Sequence, residues 1–211
     1  MVIYMNEYLE FKKLLENLKL NNKKPTLLLH SCCGPCSSYV LTLLNEYFDI
    51  TIYYYNPNIY PYEEFYKRGE TQKEIIAKLH FPVKLIMGEH DYNIYQEKVN
   101  GLEHLGEGSK RCYNCYYFRM KKCSELASEL GFDYFTTTLS ISPYKNSNWI
   151  NEIGKEVELT SKYLYSNFKK EEGYKKSIEL SRHYGLYRQD YCGCISSIKE
   201  HEERIRNKNN G

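Results

Sequence analysis

The sequence lacks any long hydrophobic run and carries almost no net charge. Its 211 residues hold 29 Lys and Arg against 27 Asp and Glu, a formal net charge of +2, so composition alone does not indicate a nucleic-acid-binding protein. No apolar stretch approaches the roughly 20 residues of a transmembrane helix. The N-terminal MVIYMNEYLEFKKLLENLKLNN has neither the apolar core nor the cleavage site of a signal peptide. We therefore expect a cytoplasmic protein with no membrane partner.

Hydrophobic periodicity predicts short strands that alternate with helices. The predicted strands are 26–30, 49–55, 82–87, 132–141 and 162–167. The predicted helices are 6–20, 37–48, 61–79, 91–100, 112–130, 146–157, 171–184 and 196–206. This alternation is typical of an α/β fold with a mainly parallel sheet flanked by helices. We expect a single α/β domain over 1–211, with an N-terminal helix in 1–24, the catalytic core in 25–206 and a frayed tail in 207–211.

Seven of the eight cysteines fall into three groups. The groups are Cys32, Cys33 and Cys36 in HSCCGPC, Cys112 and Cys115 in RCYNC, and Cys192 and Cys194 in YCGC. A CxxC pair lets two thiolates bind one metal, and at the start of a helix the dipole also favours thiolate. The first group follows the first predicted strand, which places it at the carboxyl edge of the sheet, where ligands bind in such folds. The eighth, Cys123, is predicted to be a small core residue.

The residues alone leave the metal open between zinc and an iron–sulfur cluster. Four thiolates from two distant pairs suit either one. Three further thiols indicate redox chemistry, which favours iron. The Cys192-Gly193-Cys194 pair can bind one metal ion or close into a strained, readily reduced disulfide.

Four segments, LLHSCCGPCSS, GEGSKRCYNCYYFRM, TTTLSISPYKN and YRQDYCGC, together resemble the cobalamin-independent epoxyqueuosine reductases of the QueH type. The resemblance spans about residues 25 to 200. It implies a cytosolic oxidoreductase with a Rossmann-like (HUP-like) α/β domain and a 4Fe–4S cluster. It also implies a partner, tRNA carrying epoxyqueuosine, whose epoxide is reduced to an alkene while the oxygen leaves as water in the last step of queuosine synthesis. An electron donor, which the sequence does not identify, is implied as well.

The resemblance also implies roles for the cysteines. The expected cluster ligands are Cys32, Cys33, Cys112 and Cys115. Cys36 stands where some relatives carry Asp, itself a candidate iron ligand, so the choice within the first group stays open. Cys192 and Cys194 correspond either to a redox-active pair that stores two electrons, or to ligands of an adjacent mononuclear iron that acts as a Lewis acid.

Residues in or beside the motifs are candidates for tRNA contacts. Phosphates could be met by Arg111, Arg119, Lys145 and Arg188, and bases could stack on Tyr144, Tyr187 and Tyr191. Salt bridges and core packing are equally open interpretations of these side chains. The turn Asn56-Pro57-Asn58 ends the second strand at the ligand edge and could line the pocket. His30, at a strand end, is expected to be structural.

Three other functions compete with a reductase. A thioredoxin-like exchanger needs only Cys33 and Cys36 and leaves the other two groups unexplained. A tRNA-thiolating enzyme would need a Gly/Ser-rich loop to bind ATP phosphates, and the first strand leads to cysteines instead. A zinc-stabilised RNA-binding protein would use the cysteine pairs without redox chemistry, so the identity of the metal distinguishes it from the reductase.

Overall fold

Helices and strands alternate along the chain as the sequence predicts. The computed structural model describes residues 2–209, with the side chains of 7–208. The helices are α1 (Val2–Leu20), α2 (Gly34–Leu44), α3 (Tyr62–Lys78), α4 (Tyr92–Val99), α5 (Lys110–Glu129), α6 (Ser147–Glu156), α7 (Gly173–His183) and α8 (Ile195–Asn209). The strands are β1 (Thr26–Ser31), β2 (Asp49–Tyr54), β3 (Lys84–Met87), β4 (Tyr134–Thr137) and β5 (Lys162–Tyr163).

The five strands form one sheet in the order β3-β2-β1-β4-β5. All four pairings are parallel, which confirms the predicted fold class. β1 lies at the centre, and Leu29 pairs with Ile52 of β2 on one side and with Thr136 of β4 on the other. The strand order reverses beside β1, because the chain runs outward to β3 and then continues with β4 on the opposite side. Ligands bind beyond the carboxyl ends of strands at such a reversal.

Helices cover both faces of the sheet. Successive side chains of a strand point to opposite faces, and β1 follows this rule. Leu27 and Leu29 pack in a cluster with α1, α2 and α3, whereas Leu28 packs with α5 and α6. All three leucines are fully buried, and burying each one stabilises the fold by roughly 1.5–3 kcal/mol. Cys123 lies in the second cluster, with its Sγ 3.9 Å from the carbonyl oxygen of Leu28, so its predicted core role is confirmed.

Two predicted strands are shorter than expected. β4 ends at Thr137, whose hydroxyl accepts a hydrogen bond from the Leu139 N–H, and Thr138–Ile141 form a 3-10 helix. Thr and Ile favour strands in general, but this cap turns the chain before the pairing can continue. β5 covers only Lys162–Tyr163, because the Ser166 N–H bonds to Asn151 of α6 instead of to the sheet.

The two chain ends differ in part from the predictions. α1 ends at Leu20, the predicted last residue of the first helix, but it begins at Val2 rather than at residue 6. α8 continues to Asn209, so residues 207–209 are helical rather than a frayed tail, and residues 210–211 lie outside the described range. Within residues 2–209, no helix is both long enough and apolar enough to span a bilayer.

Candidate active site

The first thiol group converges at the turn between β1 and α2. The Sγ atoms of Cys32, Cys33 and Cys36 all lie within 4.8 Å of one another, and those of Cys32 and Cys33 are 3.8 Å apart. Within residues 2–209, no other three metal-ligating side chains come as close. Tetrahedral ligation with metal–sulfur bonds of about 2.3 Å separates the sulfurs by about 3.8 Å. The spacing therefore suits thiolate ligation of a metal.

Helix α3 holds this turn in place. The hydroxyls of Ser31 and Ser37 both donate to Oε1 of Gln72, at 2.7 and 3.0 Å. A Cβ at Gly34 would lie 2.6 Å from the carbonyl oxygen of Thr71, so only glycine lets the start of α2 approach α3 this closely. The position of the first thiol group therefore depends on α3.

His30 connects three strand ends behind the first thiol group. Its Nε2 lies 3.0 Å from the Tyr55 carbonyl oxygen and its Nδ1 lies 2.7 Å from Thr137 Oγ1. A carbonyl oxygen only accepts, so Nε2 carries the proton and Nδ1 accepts from the threonine hydroxyl. Burial, reinforced by the charge of Arg119, lowers the pKa of His30 to about 3. The ring is neutral, and both its nitrogens are engaged by the protein, as expected of a structural histidine.

The second thiol group lies in the first turns of α5. The Sγ of Cys115 is 3.9 Å from Nη1 of Arg119, which donates to it. Arg119 is 1 % exposed and also donates through Nη2 to Asn56 Oδ1. Burial raises the pKa of Cys115 to about 11, against the opposing effect of this guanidinium. Arg119 thus places a buried positive charge directly beside a thiol.

The third thiol group lies on a sharp turn just before α8. Gly193 has a φ of 109°, a conformation that favours glycine. Its N–H donates to Ser197 Oγ at 2.9 Å, and its carbonyl accepts from the Tyr60 N–H at 2.8 Å. The hydrogen bond between the two thiols lowers the pKa of Cys192 and raises that of Cys194.

One cavity brings the first and third thiol groups together. It has a volume of about 260 Å³ and is lined by Cys32 and Cys36 of the first group and Cys192 of the third. Cys194 and Cys115 are buried in one small cluster with Tyr95 and Val99, so the second and third groups share a packing cluster.

Polar residues around the cavity carry unused hydrogen-bonding capacity. Four buried atoms of lining residues have no partner in the described part of the chain: Asn58 Oδ1, Arg68 Nη2, Arg119 Nε and Gln189 Oε1. Buried polar groups in folded proteins are nearly always satisfied. Lys145 also lines the cavity. Burial disfavours its charge, but the negative charge of Cys192 and its neighbours outweighs burial and raises the pKa of Lys145. The cavity is therefore suited to a polar or anionic group.

The structure corrects one predicted phosphate contact and one predicted stacking residue. Arg111 is 1 % exposed, does not line the cavity and lies 3.4 Å from Glu200 instead. Arg119 is equally buried, but it lines the interior of the cavity. Tyr187 donates its hydroxyl to Glu64 and does not line the cavity. The lining residues do include Lys145, Arg188, Tyr144, Tyr191, Asn56 and Asn58.

Sequence reasoning missed several lining residues, among them Arg68, Glu107 and Arg204. Arg68 lies on α3 and Arg204 on α8, outside the cysteine motifs, whereas Glu107 lies on the loop before α5, within GEGSKRCYNCYYFRM. The spacing of Glu64 and Arg68 indicates a helical ion pair, but not that the pair is buried. That burial depends on the loop before α8, which packs on α3 from more than a hundred residues away in sequence.

A parallel α/β protein in which two thiol groups line one cavity at the carboxyl edge of the sheet has the site of a cysteine-centred metal or redox enzyme. A family model described as "Epoxyqueuosine reductase QueH" matches residues 27–200. The chain therefore belongs to the epoxyqueuosine reductase QueH family, a family of oxidoreductases.

Curated relatives named "Epoxyqueuosine reductase QueH" support this assignment. The Streptococcus pyogenes protein is 42% identical over 182 residues, which cover 83% of this chain and 71% of that one. The Staphylococcus epidermidis protein is 39% identical over 192 residues, or 87% of this chain and 81% of that one. The Thermotoga maritima protein is 36% identical over 184 residues, or 85% of this chain and 93% of that one.

Proposed function

We propose that this protein reduces epoxyqueuosine in tRNA to queuosine. The observation that carries the proposal is the cavity in which Cys32, Cys36 and Cys192 meet beside buried cations. The names of the relatives specify an epoxide reductase. Such a reaction needs thiols or a metal to deliver electrons, and a polar pocket to bind the substrate. Because tRNA is modified in the cytoplasm, the proposal includes a cytoplasmic location.

The redox-active pair in this proposal is Cys192 with Cys194. Converting an epoxide to an alkene breaks two C–O bonds, forms one C=C bond, consumes two electrons and two protons, and releases water. A dithiol that closes to a disulfide releases two electrons and two protons, so one turnover of the pair balances one epoxide. Cys192 lines the cavity and Cys194 lies behind it. An external electron donor must then reduce the disulfide.

The remaining thiols are the proposed ligands of an iron–sulfur centre. Two of Cys32, Cys33 and Cys36, together with Cys112 and Cys115, would hold a 4Fe–4S cluster, which would supply electrons one at a time from the donor. The third thiol of the first group is then free, and with Cys192 and Cys194 it provides a ligand set for an adjacent iron. Arg119 and Lys145 supply the positive charge that an anionic thiolate centre needs when it is buried.

The substrate base would enter the cavity from the tRNA. Tyr144 lies on its rim and is 67% exposed, as expected of a ring on which a base can stack. Inside the cavity, the unsatisfied atoms of Asn58 and Gln189 can hydrogen-bond to the polar groups of a flipped nucleoside.

The first experiment is to measure iron, acid-labile sulfide and zinc per chain in anaerobically purified protein, and to assay reduction of tRNA that carries epoxyqueuosine. We expect about four irons with matching sulfide, plus further iron if the adjacent site is filled. The Cys192→Ser variant should lose turnover and keep its sulfide. Zinc without sulfide, even after reconstitution, or full activity in the variant, would contradict the proposal. Zinc alone would favour a metal-stabilised RNA-binding protein.

A further inference from the structure

Arg68 lies between α3 and the turn that carries Cys192 and Cys194. We propose that Arg68 is a positioning residue that holds this turn in the orientation needed for reduction. The proposal rests on the proposed function, which makes Cys192 and Cys194 the reacting thiols. It adds a residue of α3, far from the cysteine motifs in sequence, to the catalytic arrangement.

The guanidinium of Arg68 makes three different contacts. Nη1 donates to the carbonyl oxygen of Cys192 at 2.9 Å. Nε pairs with Glu64 at 2.6 Å. The plane lies over the ring of Tyr191, with Cζ 5.1 Å from the ring centre. The Arg68 side chain is 2% exposed, so these contacts are shielded from water and are stronger than the same contacts on the surface. Together they fix both residues that precede Gly193.

The turn is shaped around this guanidinium. A Cβ at Gly193 would lie 3.0 Å from Nη1 and 3.1 Å from Nη2. Glycine therefore serves two purposes here, since it permits the positive φ and leaves room for Arg68. The Tyr60 N–H binds the Gly193 carbonyl on the same side, and Ser197 binds the Gly193 N–H from the start of α8. These contacts fix the backbone from which the Cys192 side chain projects.

Glu64 is itself fixed from the loop before α8. The Tyr187 hydroxyl lies 3.1 Å from each carboxylate oxygen of Glu64, and the Lys67 ammonium lies 3.6 Å from the centre of the Tyr187 ring. The loop is thus bound to α3 at both Tyr187 and Cys192. A lysine at position 68 could not replace the arginine, because a single ammonium cannot form the planar fork that reaches an acid, a carbonyl and a ring together.

The test uses full-length, anaerobically purified protein and a double variant, Glu64→Gln with Arg68→Met. This double variant removes both buried charges at once, so that neither Glu64 nor Arg68 leaves an unpaired charge inside the protein. The matched control is Glu70→Gln with Lys73→Met, which removes an exposed ion pair of the same helix. Hydrogen–deuterium exchange is measured at the amides of Tyr60, Gly193 and Leu28, and kcat and KM are measured with epoxyqueuosine tRNA.

We expect exchange at Tyr60 and Gly193 to accelerate by at least about tenfold in the double variant, with Leu28 unchanged. We expect kcat to fall by at least about tenfold while KM stays within about twofold. The control should resemble the wild type in every measurement. Wild-type exchange in the double variant overturns the proposal, and so does accelerated exchange with an unchanged kcat.

Two further results remain decisive. If the wild type shows no reductase activity, the proposed function fails, and the exchange data still report whether Arg68 holds the turn. If the double variant does not fold, Tyr187→Phe replaces it, because this change loosens Glu64 without burying a lone charge. Tyr187→Phe should also accelerate exchange at Gly193, by about two- to fivefold. Unaltered exchange there would count against the proposal.

Discussion

At Gly34, the absence of a side chain lets the start of α2 lie against the backbone of α3. A methyl group there would approach the Thr71 carbonyl to 2.6 Å. We expect Gly34→Ala to lower the free energy of unfolding by about 1–3 kcal/mol, since one helix must move to relieve the clash. Gly106→Ala is the control, because the nearest atom to its added Cβ is 4.0 Å away. Denaturant titration measures both. An equal effect on the two variants would contradict this account of Gly34.

Cys36 and Cys123 should respond differently to substitution. Cys36 shares its turn with two other thiols, whereas Cys123 is surrounded by the core. We expect Cys36→Ser to alter the bound iron or the activity, because it removes one sulfur from the converging group. Cys123→Ala should leave the iron content and the activity unchanged and lower the free energy of unfolding by about 1 kcal/mol, as for a small core truncation. Iron analysis with urea unfolding separates the two effects, and loss of iron from the Cys123 variant would assign that thiol to the metal site.

The arginines show how far single residues can be interpreted from sequence. The cysteine spacing identifies the thiol groups, because CxxC and CxC pairs have a chemical meaning at short range. Arg111 and Arg119 stand beside those thiols and look like surface charges, since arginine is almost never fully buried unless it is paired. Their burial is possible because Arg119 donates to Cys115 of α5 and to Asn56 after β2, and Arg111 pairs with Glu200 of α8. Those distant partners cannot be inferred from local sequence.

At the scale of elements, the connection from α6 to β5 depends on one carboxylate. Glu158 accepts from the Tyr163 N–H at 2.9 Å and pairs with Lys155 and Lys162. Partial burial alone would raise the pKa of Glu158, but these partners outweigh burial and lower it below its ordinary value of 4.5. The carboxylate therefore stabilises the folded state above the ordinary pKa, and this contribution is lost as the pH falls through the folded-state pKa.

We expect Glu158→Gln to cost about 1 kcal/mol of unfolding free energy at pH 7, since hydrogen bonds to a charged group are lost. The difference from the wild type should shrink as the pH falls below 4.5. Glu46→Gln provides the comparison, because its exposed pair with Lys19 should contribute little. If the loss of unfolding free energy in Glu158→Gln stays constant with pH, the ionised carboxylate does not account for it.

The element predictions succeeded where burial determines the pattern. β1 and β2 are short, nearly continuous apolar runs, and their predicted bounds are correct to within one residue. The predicted β4 is too long because Thr138–Ile141 has strand-forming residues but follows the cap at Thr137. The predicted β5 is too long because the Ser166 N–H bonds to Asn151 instead of to the sheet. α2 begins three residues earlier than predicted, because its first turn holds Gly34 and Pro35, and proline is favoured at the start of a helix. Side-chain caps of this kind decide boundaries that periodicity cannot resolve.

For the whole molecule, the near-neutral charge means that the proposed binding of tRNA would depend on a few local cations. Arg204 is exposed and lines the cavity, whereas Arg206 pairs with Glu202 and does not line it. We expect Arg204→Gln to weaken tRNA binding and to reduce the slope of log K against log salt by about one, the effect of one lost phosphate contact. Arg206→Gln should leave the slope unchanged. Filter binding at several salt concentrations makes the comparison, and equal slopes for the two variants would remove Arg204 from the interface.

Helix α3 contacts two thiol-bearing turns within one turn of its own length. Thr71 and Gln72 meet the turn after β1, and Arg68 holds the turn before α8. An α-helix rotates by about 100° per residue, so one residue added or removed between positions 68 and 71 would direct these contacts to different sides. The relative placement of the two turns therefore depends on the number of α3 residues between positions 68 and 71. A change in the length of this segment of α3 would therefore separate two turns that the helix now brings together.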